Sequence, residues 1–327
     1  VNRSLTAVPG LEVGHATAGA GGTGCTVILG PLRAVAEVRG LATGSRELGT
    51  LSPGHLVPRA DALLLTGGSA FGLAAADGVM RWLAARGRGY DTGVTRVPIV
   101  PAAVLFDLAE GVEPPGPELG EGACEAASRA PVAEGRVGAG AGARVGKLAG
   151  AAASMPGGLG SWSVPVGPWT VGALAAVNAL GDVLDGEGRI VAGARGADGA
   201  FLDGAARARA GAGDRDAAAG EMGDLAGGTH TTLAVVATDA PLDRRDLGRV
   251  ARVAANAFAR RIHPVHTPFD GDVLFVGSTA GFASGAGDRP DGDAPVSLPS
   301  TGVLAVAVAA QEALEEAITR SVITGNG

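Results

Sequence analysis

The sequence predicts a layered α+β domain, and three observations carry that prediction. Short apolar runs of strand length alternate with Gly-rich turns through the first third of the chain. Other segments carry apolar residues every three or four positions, which is the helical period. The two kinds of segment follow one another without the regular strand–helix–strand rhythm of a doubly wound parallel sheet, so stacked layers of sheet and helix fit better. With 327 residues, 46% hydrophobic and 18% charged, there is material for one large domain or two small ones with a real core.

Taken in order, residues 25–29 and 34–38 read as paired strands and residues 62–65 as a buried one. Residues 71–86 place Leu73, Val79, Trp82 and Leu83 at roughly helical spacing, with Ser69 positioned to cap the helix. Residues 98–107 are apolar, but Pro98 and Pro101 argue for an irregular or edge segment. Residues 171–179 and 182–184 read as strands. From Gly193 to Gly228 the chain becomes Gly, Ala, Asp and Arg, so this stretch is expected to bury little surface and to be mobile. It stops at Thr231, and residues 233–236 follow at once as a strand buried on both faces. Leu247, Val250, Ala254 and Phe258 mark an amphipathic helix. Residues 273–276 are a further strand, 281–300 a polar loop and 301–318 a final helix. No internal repeat is evident.

Composition excludes several classes of function. Net charge is −7, and the basic residues form no stripe interleaved with aromatics, which argues against nucleic acid as a partner. No apolar run reaches the roughly eighteen residues needed to span a bilayer. Residues 1–7 do not resemble a signal peptide, and the two cysteines, Cys25 and Cys124, are expected to be reduced, so a cytoplasmic location is expected. Only 3% of residues are aromatic while glycines number 56, so packing must rely on small and aliphatic side chains.

Several familiar motifs fail on context. Gly19, Gly21 and Gly24 satisfy a dinucleotide-binding spacing, yet a strand rather than a helix follows. Gly146-Lys147 resembles the end of a phosphate-binding loop, but Ala141 and Leu148 stand where Gly and Ser or Thr are needed. His263 and His266 lie near Asp270, but Pro264 interrupts any regular face that would bring them to one metal, and no metal site is expected. Ser69 sits in Gly67-Gly-Ser-Ala-Phe-Gly72, which is not a nucleophile elbow; a helix cap or a substrate-facing turn fits it better.

The informative stretch is Gly227-Gly-Thr-His-Thr-Thr-Leu-Ala-Val-Val-Ala-Thr-Asp239. A segment poor in apolar residues runs straight into a core strand through Thr231. Were the bond before Thr231 cut, its new amine would be anchored at the head of that strand. An N-terminal Thr carries its own base, because an α-amine titrates at about 7.7–8.0 and can take the hydroxyl proton near neutrality. Spacing alone favours the plainer reading, a linker joining a β-branched strand.

The stretch from His230 to Ala240 resembles the cleavage-site strand of the L-aminopeptidase/D-esterase family, which includes β-peptidyl aminopeptidases and endo-type nylon-oligomer hydrolases. Further segments match in order: Leu5-Thr-Ala-Val-Pro-Gly-Leu-Glu-Val-Gly-His15, Thr66-Gly-Gly-Ser-Ala-Phe-Gly-Leu73, Val145-Gly-Lys147, Val177-Asn-Ala179 with Gly181-Asp182, and His266-Thr-Pro-Phe-Asp-Gly-Asp272. The resemblance therefore covers nearly the whole chain. It implies a four-layer αββα sandwich in a single domain, residues 1–327, cut into an α fragment, 1–230, and a β fragment, 231–327.

What the resemblance implies for the site attaches to particular residues. Thr231 matches the nucleophile that cleaves the bond after His230 and then attacks small peptides, amides or amide oligomers. Asn178 matches an oxyanion-stabilising Asn, whose amide donates without titrating. Asp270 and Asp272 match acidic or hydroxyl residues beside the nucleophile; their spacing puts both side chains on one face of an extended segment, where they could orient the Thr231 amine and share a proton. Lys147 matches a nearby cation, and the chain has no other lysine. Ser69, Phe71 and Phe106 fall where a substrate pocket would lie.

Two positions depart from the family pattern: His230 stands for Asn, and Phe106 for Tyr. The family works without metal or cofactor and assembles as homo-oligomers, often tetramers of the αβ unit. Two other readings stay open. One is an acyltransferase of related fold, in which an amine resolves the acyl-enzyme; the other is a family member that never cuts and serves as a binding protein.

Overall fold

The computed structural model describes residues 2–19, 22–210, 230–282 and 298–325. Nine strands form its main hydrogen-bonded path: β1 (Glu12–Thr17), β2 (Gly24–Val38), β3 (Gly44–Arg46), β4 (Ala60–Thr66), β5 (Ala102–Val104), β6 (Gly158–Val166), β7 (Trp169–Asn178), β8 (Thr231–Thr238) and β9 (Val273–Ser278). Their order is β6-β7-β8-β9-β2-β4-β5-β3, with β1 also on β2. Neighbours are antiparallel except for β8 with β9 and β4 with β5.

The path folds into two sheets because β2 serves both. Its first half pairs with β1 and β4, and its second half, from Arg33 to Val38, pairs with β9. The sequence reading of residues 25–29 and 34–38 as two strands paired with each other is therefore corrected. Gly30-Pro31 reads as a turn but acts as a bend. Proline has no N–H to give the ladder, and the register slips between Leu29 and Leu32 as the strand passes from one sheet to the other.

Three cores separate four layers. Strands expose alternate residues to opposite faces, so each strand contributes to two cores. Between the sheets, Ile28, Leu63 and Leu65 meet Leu174, Leu233, Val235 and Phe275. On one outer face, Val27, Leu29 and Leu64 pack against helices α1 (Ala75–Ala84) and α2 (Pro117–Glu125) through Val79, Leu83 and Cys124. On the other, Ala234, Val236 and Leu274 pack against α3 (Arg244–Ala254) and α4 (Ser300–Gly325) through Leu247, Val250, Val306 and Leu314. This is the αββα sandwich that the resemblance implied.

Several elements follow the sequence reading closely. All eight residues of β8 are buried, and α3 presents Leu247, Val250 and Ala254 inward as their spacing predicts. Phe258 belongs to a separate short helix, Asn256–Arg261, but faces the same core. Cys25 and Cys124 are free and buried. Among the described residues, no helix is long and apolar enough to cross a membrane.

Other elements differ. Ser69 does not cap α1: it opens a 3-10 turn, Ser69–Ala74, with its own φ at +52° after Gly68 at +78°, and its side chain makes no cap bond. Two successive left-handed residues turn the loop too sharply for the extended geometry an N-cap needs. The apolar run of residues 98–107 is not an edge. Its β5 portion lies between β4 and β3, because both prolines fall just before the ladder begins. In the Gly-rich stretch after Gly193, residues Gly204–Ala210 form a helix, while residues 211–229 lie outside the described residues, as do 283–297 of the predicted polar loop.

The packing of α4 on β6 depends on absent side chains. A Cβ on Gly160 would overlap the Ala317 carbonyl and lie 2.5 Å from the Ser321 nitrogen. Gly160→Ala is expected to destabilise the chain by about 1–3 kcal/mol, the usual cost of overpacking, read from the urea midpoint. An unchanged midpoint would mean that α4 can lift from the sheet without penalty.

Candidate active site

Thr231 is the first residue of β8, and it lies in the same alternation as Leu233, Val235 and Ala237, which face the space between the sheets. Directly opposite, in the antiparallel ladder, is Asn178, the last residue of β7. It shares the parity of Leu174 and Ala176, so it faces the same space. On the other side of β8, the segment Asp270-Gly271-Asp272 leads into β9, with His230 bridged to Asp270. Three neighbouring strand ends thus converge, and His230, Thr231, Asn178, Asp270 and Asp272 are all buried.

The carbonyl of His230 is the centre of this cluster. It accepts the Thr231 hydroxyl at 2.6 Å and the Gly271 N–H at 2.8 Å. A side chain at position 271 would put its Cβ 2.7 Å from Thr231 Oγ1, so glycine there lets backbone and hydroxyl meet. Asp272 accepts the Thr232 N–H at 2.7 Å through one oxygen and contacts His266 Nδ1 at 2.8 Å through the other. Asp270 accepts the Thr267 N–H at 2.7 Å. His266 holds a left-handed φ of +56°, a conformation that non-glycine residues keep only when their surroundings demand it.

Asn178 is fixed from both ends of its amide. Its Oδ1 accepts Lys147 Nζ at 2.8 Å and the Arg144 N–H at 3.0 Å, and Nδ2 donates to the Phe106 carbonyl at 2.9 Å. Lys147 Nζ also donates to the Asn178 carbonyl at 3.1 Å.

Burial dominates the electrostatics. It pulls the Lys147 ammonium down to about 7, against the opposing pull of Asp270. Burial and then the neighbouring Asp272 push Asp270 up to about 6. His230 is held down to about 3 by burial and by the Lys147 charge, so its imidazole is neutral near pH 7.

Five of the residues singled out from the sequence, Thr231, Asn178, Asp270, Asp272 and Lys147, thus lie together at the adjoining ends of β7, β8 and β9. Phe106 joins them through its backbone. Ser69 is tied by its N–H to the Leu105 carbonyl at 2.9 Å, one residue from Phe106. Phe71 stands apart with 71% of its surface exposed. The two histidines once weighed as metal ligands diverge: His266 turns to Asp272, and His263 is exposed on a short strand beside Asp182.

Sequence reasoning missed the Gly271 N–H, His266 as the partner of Asp272, and Asp107. The first two stand inside a motif that was quoted. Asp107, a buried carboxyl that burial pushes up to about 6 against the nearby Lys147 charge, lies beside Phe106 in sequence but carries no spacing signal that marks it.

The chain is similar to known proteins over nearly its whole length. Residues 3–327 match peptidase family S58. An uncharacterized aminopeptidase of Mycobacterium leprae is 39% identical over 98% of this chain and 90% of its own length. The 6-aminohexanoate-oligomer endohydrolase of a Kocuria strain is 30% identical over 83% of this chain and 73% of its own. Among solved structures, the L-aminopeptidase D-Ala-esterase/amidase of Ochrobactrum anthropi, described as a variant of the Ntn hydrolase fold, superposes with a TM-score of 0.70 at 20% identity. That likeness covers 99% of this chain and 87% of the other, and it shows a shared fold.

The raised Asp270 carboxyl has a consequence for stability. With a folded value of about 6 against 3.8, the folded chain keeps a proton that the unfolded chain releases. Its contribution is therefore full below the unfolded value and lost as pH rises through the folded one. Relative to the parent, Asp270→Asn should gain on the order of 2 kcal/mol in unfolding free energy between about pH 4 and about pH 7. A parent–variant difference in urea unfolding that ignores pH would show that Asp270 ionises as it does in water.

Proposed function

Because the chain belongs to peptidase family S58, we propose that it is an N-terminal-threonine amidohydrolase, which cuts its own chain before Thr231 and then hydrolyses small peptides, amides or amide oligomers. The observation that carries this reading is the His230 carbonyl, held by the Gly271 N–H with the Thr231 hydroxyl against it.

In the first cut, Thr231 Oγ adds to the His230 carbonyl carbon, closing a five-membered ring within the chain. The hydroxyl proton passes to the adjacent buried Asp270–Asp272 pair. Negative charge gathers on the carbonyl oxygen, where the Gly271 N–H already points, so the donor needs no reorganisation as charge develops. The carbon–nitrogen bond then breaks and its electron pair stays on the Thr231 nitrogen, which takes up the proton. Water hydrolyses the resulting ester, leaving a carboxylate on His230 and a free amine and hydroxyl on Thr231.

Turnover reuses the same parts on another molecule. The Thr231 amine takes the hydroxyl proton, Oγ attacks a substrate amide, and the Gly271 N–H and the Asn178 amide hold the oxyanion. The departing amine receives the proton, and water resolves the acyl-enzyme. The Asp272 carboxylate accepts the Thr232 N–H and so sits one residue from the new terminus, placed to orient it. Likeness to an aminopeptidase and to an oligomer endohydrolase supports an amide as the bond broken.

Purified protein should show two chains on a denaturing gel, and Edman sequencing of the smaller should read Thr-Thr-Leu-Ala-Val. Thr231→Ala should give one intact chain. A parent that stays whole after long incubation near neutral pH would sink the proposal in favour of an uncut binding protein. Transfer of the acyl group to an added amine in place of net hydrolysis would move the enzyme to the acyltransferase class.

The acidic pair gives a second test. Asp270→Asn and Asp272→Asn should each lower kcat by about 10²- to 10⁴-fold while KM changes little, the mark of an interaction made in the transition state. Parent-like turnover on a panel of amides and p-nitroanilides would remove the pair from the mechanism.

A further inference from the structure

His266 has no part in the mechanism above, yet it touches an acid that does. Asp272 is buried, and its two oxygens are engaged on opposite sides. Oδ1 accepts the Thr232 N–H at 2.7 Å, and Oδ2 meets His266 Nδ1 at 2.8 Å. An ionised carboxylate can only accept, so Nδ1 carries the hydrogen. The neutral ring in that tautomer and the imidazolium both present it, so the contact does not depend on the charge of the ring. A carboxylate held by one oxygen can still swivel about its Cβ–Cγ bond, because that torsion is broad. Donors on both oxygens fix its plane. With the imidazole gone, Oδ2 would be a buried acceptor short of a donor, and the carboxyl would turn or take a proton to relieve it.

Three features place this ring. The backbone of His266 is left-handed, with φ at +56°, a region that histidine and asparagine enter more readily than most side chains. The buried ring of Phe258 meets the imidazole edge-on, with centroids 5.6 Å apart and planes at 78°. The next residue, Thr267, gives its N–H to Asp270 at 2.7 Å, and the Asp270 N–H returns to the Thr267 carbonyl at 3.1 Å. Two successive residues therefore supply a donor to each acid, the side chain of His266 to Asp272 and the backbone of Thr267 to Asp270. The Asp272 side chain is 1% exposed and that of His266 22%, so the acid is dry and its partner lies nearer the surface.

We propose that His266 is a positioning residue: its Nδ1–H fixes the plane of the Asp272 carboxylate and, through the Thr232 N–H, the presentation of Thr231 to the bond it attacks. The role rests on Thr231 acting as the nucleophile, as read above. The Thr232 N–H lies in the peptide plane that leaves the Thr231 Cα, so a fixed carboxylate fixes that plane. A loose carboxylate would hold it in more than one way, and Oγ would meet the carbonyl out of line.

Backbone strain and hydrogen bond can be separated at this position, because Gly and Asn both accept a left-handed φ while only Asn keeps a donor. The Asn amide nitrogen is bonded to Cγ, as Nδ1 is in the ring, and so reaches toward the same oxygen. In full-length protein, His266→Gly should slow both the cut before Thr231 and kcat by about 10²-fold, the cost of a misplacement of about 1 Å, with KM little changed. His266→Asn should restore most of both rates. Combined with Asp272→Asn, His266→Gly should cost nothing further, since it acts through that carboxylate. A ring that only shapes its loop predicts otherwise: the Gly and Asn variants would both behave like the parent, or the Gly loss would add in full to that of Asp272→Asn. Either result overturns the proposal, as does an Asn variant no faster than the Gly one. A second measurement needs neither turnover nor the Gly variant. An imidazole N–H bonded to a carboxylate gives a low-field proton resonance. In Thr231→Ala protein grown with ¹⁵N-histidine, one of the five histidines should show it. The resonance should vanish when His266→Asn is added and move upfield when Asp272→Asn is added; its absence overturns the proposal. A parent that neither cuts nor turns over would refute the hydrolase reading, and the resonance would still decide whether His266 holds Asp272.

Discussion

The position of β8 in the middle of its sheet is the constraint on which the site depends. Its eight residues are hydrogen-bonded antiparallel to β7 and parallel to β9, and their side chains are packed on both faces. A one-residue slip would exchange the two faces and send Thr231 away from the inter-sheet space into the helix-covered core. Leu233 and Val235 fill one core while the smaller Ala234 and Val236 fit the other, so the slip would mismatch both. The placement of Thr231 at the strand's head is therefore a by-product of core packing along its length: Leu233, Val235 and Ala237 fix the parity, and Thr231 inherits it. Asn178 inherits its own position from β7 in the same way.

The second constraint is dielectric. The strand ends meet in a buried place, where charges cost most and act furthest. Lys147 moves down and Asp107 and Asp270 move up for the same reason, loss of water, and their values draw together around neutrality. Groups so balanced exchange protons at modest cost, which acid–base chemistry near pH 7 requires. The choice of lysine follows. A guanidinium is a broad planar fork that stays charged, whereas an ammonium is compact enough to donate to both oxygens of Asn178 from one nitrogen. A chain that uses arginine for every other cation uses lysine here.

Much of the fold was legible because burial leaves a period-two or period-3.6 trace. The strand from Leu233 to Val236 and the helix bearing Leu247, Val250 and Ala254 stood out for that reason. The passage of β2 between sheets did not, since Gly30-Pro31 carries the signature of a turn, and only the tertiary pairing reveals a bend. The interior position of β5 was hidden by prolines that lie just outside its ladder. For the site, the resemblance located Thr231, Asn178, Lys147, Asp270 and Asp272, where spacing alone preferred a linker. Asp107 was silent because its burial against the Thr23 hydroxyl and the Gly68 N–H arises wholly from folding, and no local rule joins those positions.

The strand order also bears on what a cut before Thr231 would do to the molecule as a whole. The part that follows Thr231 does not form a lobe of its own. It supplies β8, which lies against β7, and β9, which lies against β2, so it is woven between strands of the preceding part. Its helices α3 and α4 also roof the same sheet. Severing one peptide bond would leave every rung of those ladders intact, and the pieces would melt together as one cooperative body. Recovery after complete unfolding would be another matter: a folding reaction that is unimolecular for the whole chain becomes an encounter between two polypeptides. The cut molecule's capacity to reassemble would depend on how concentrated it is.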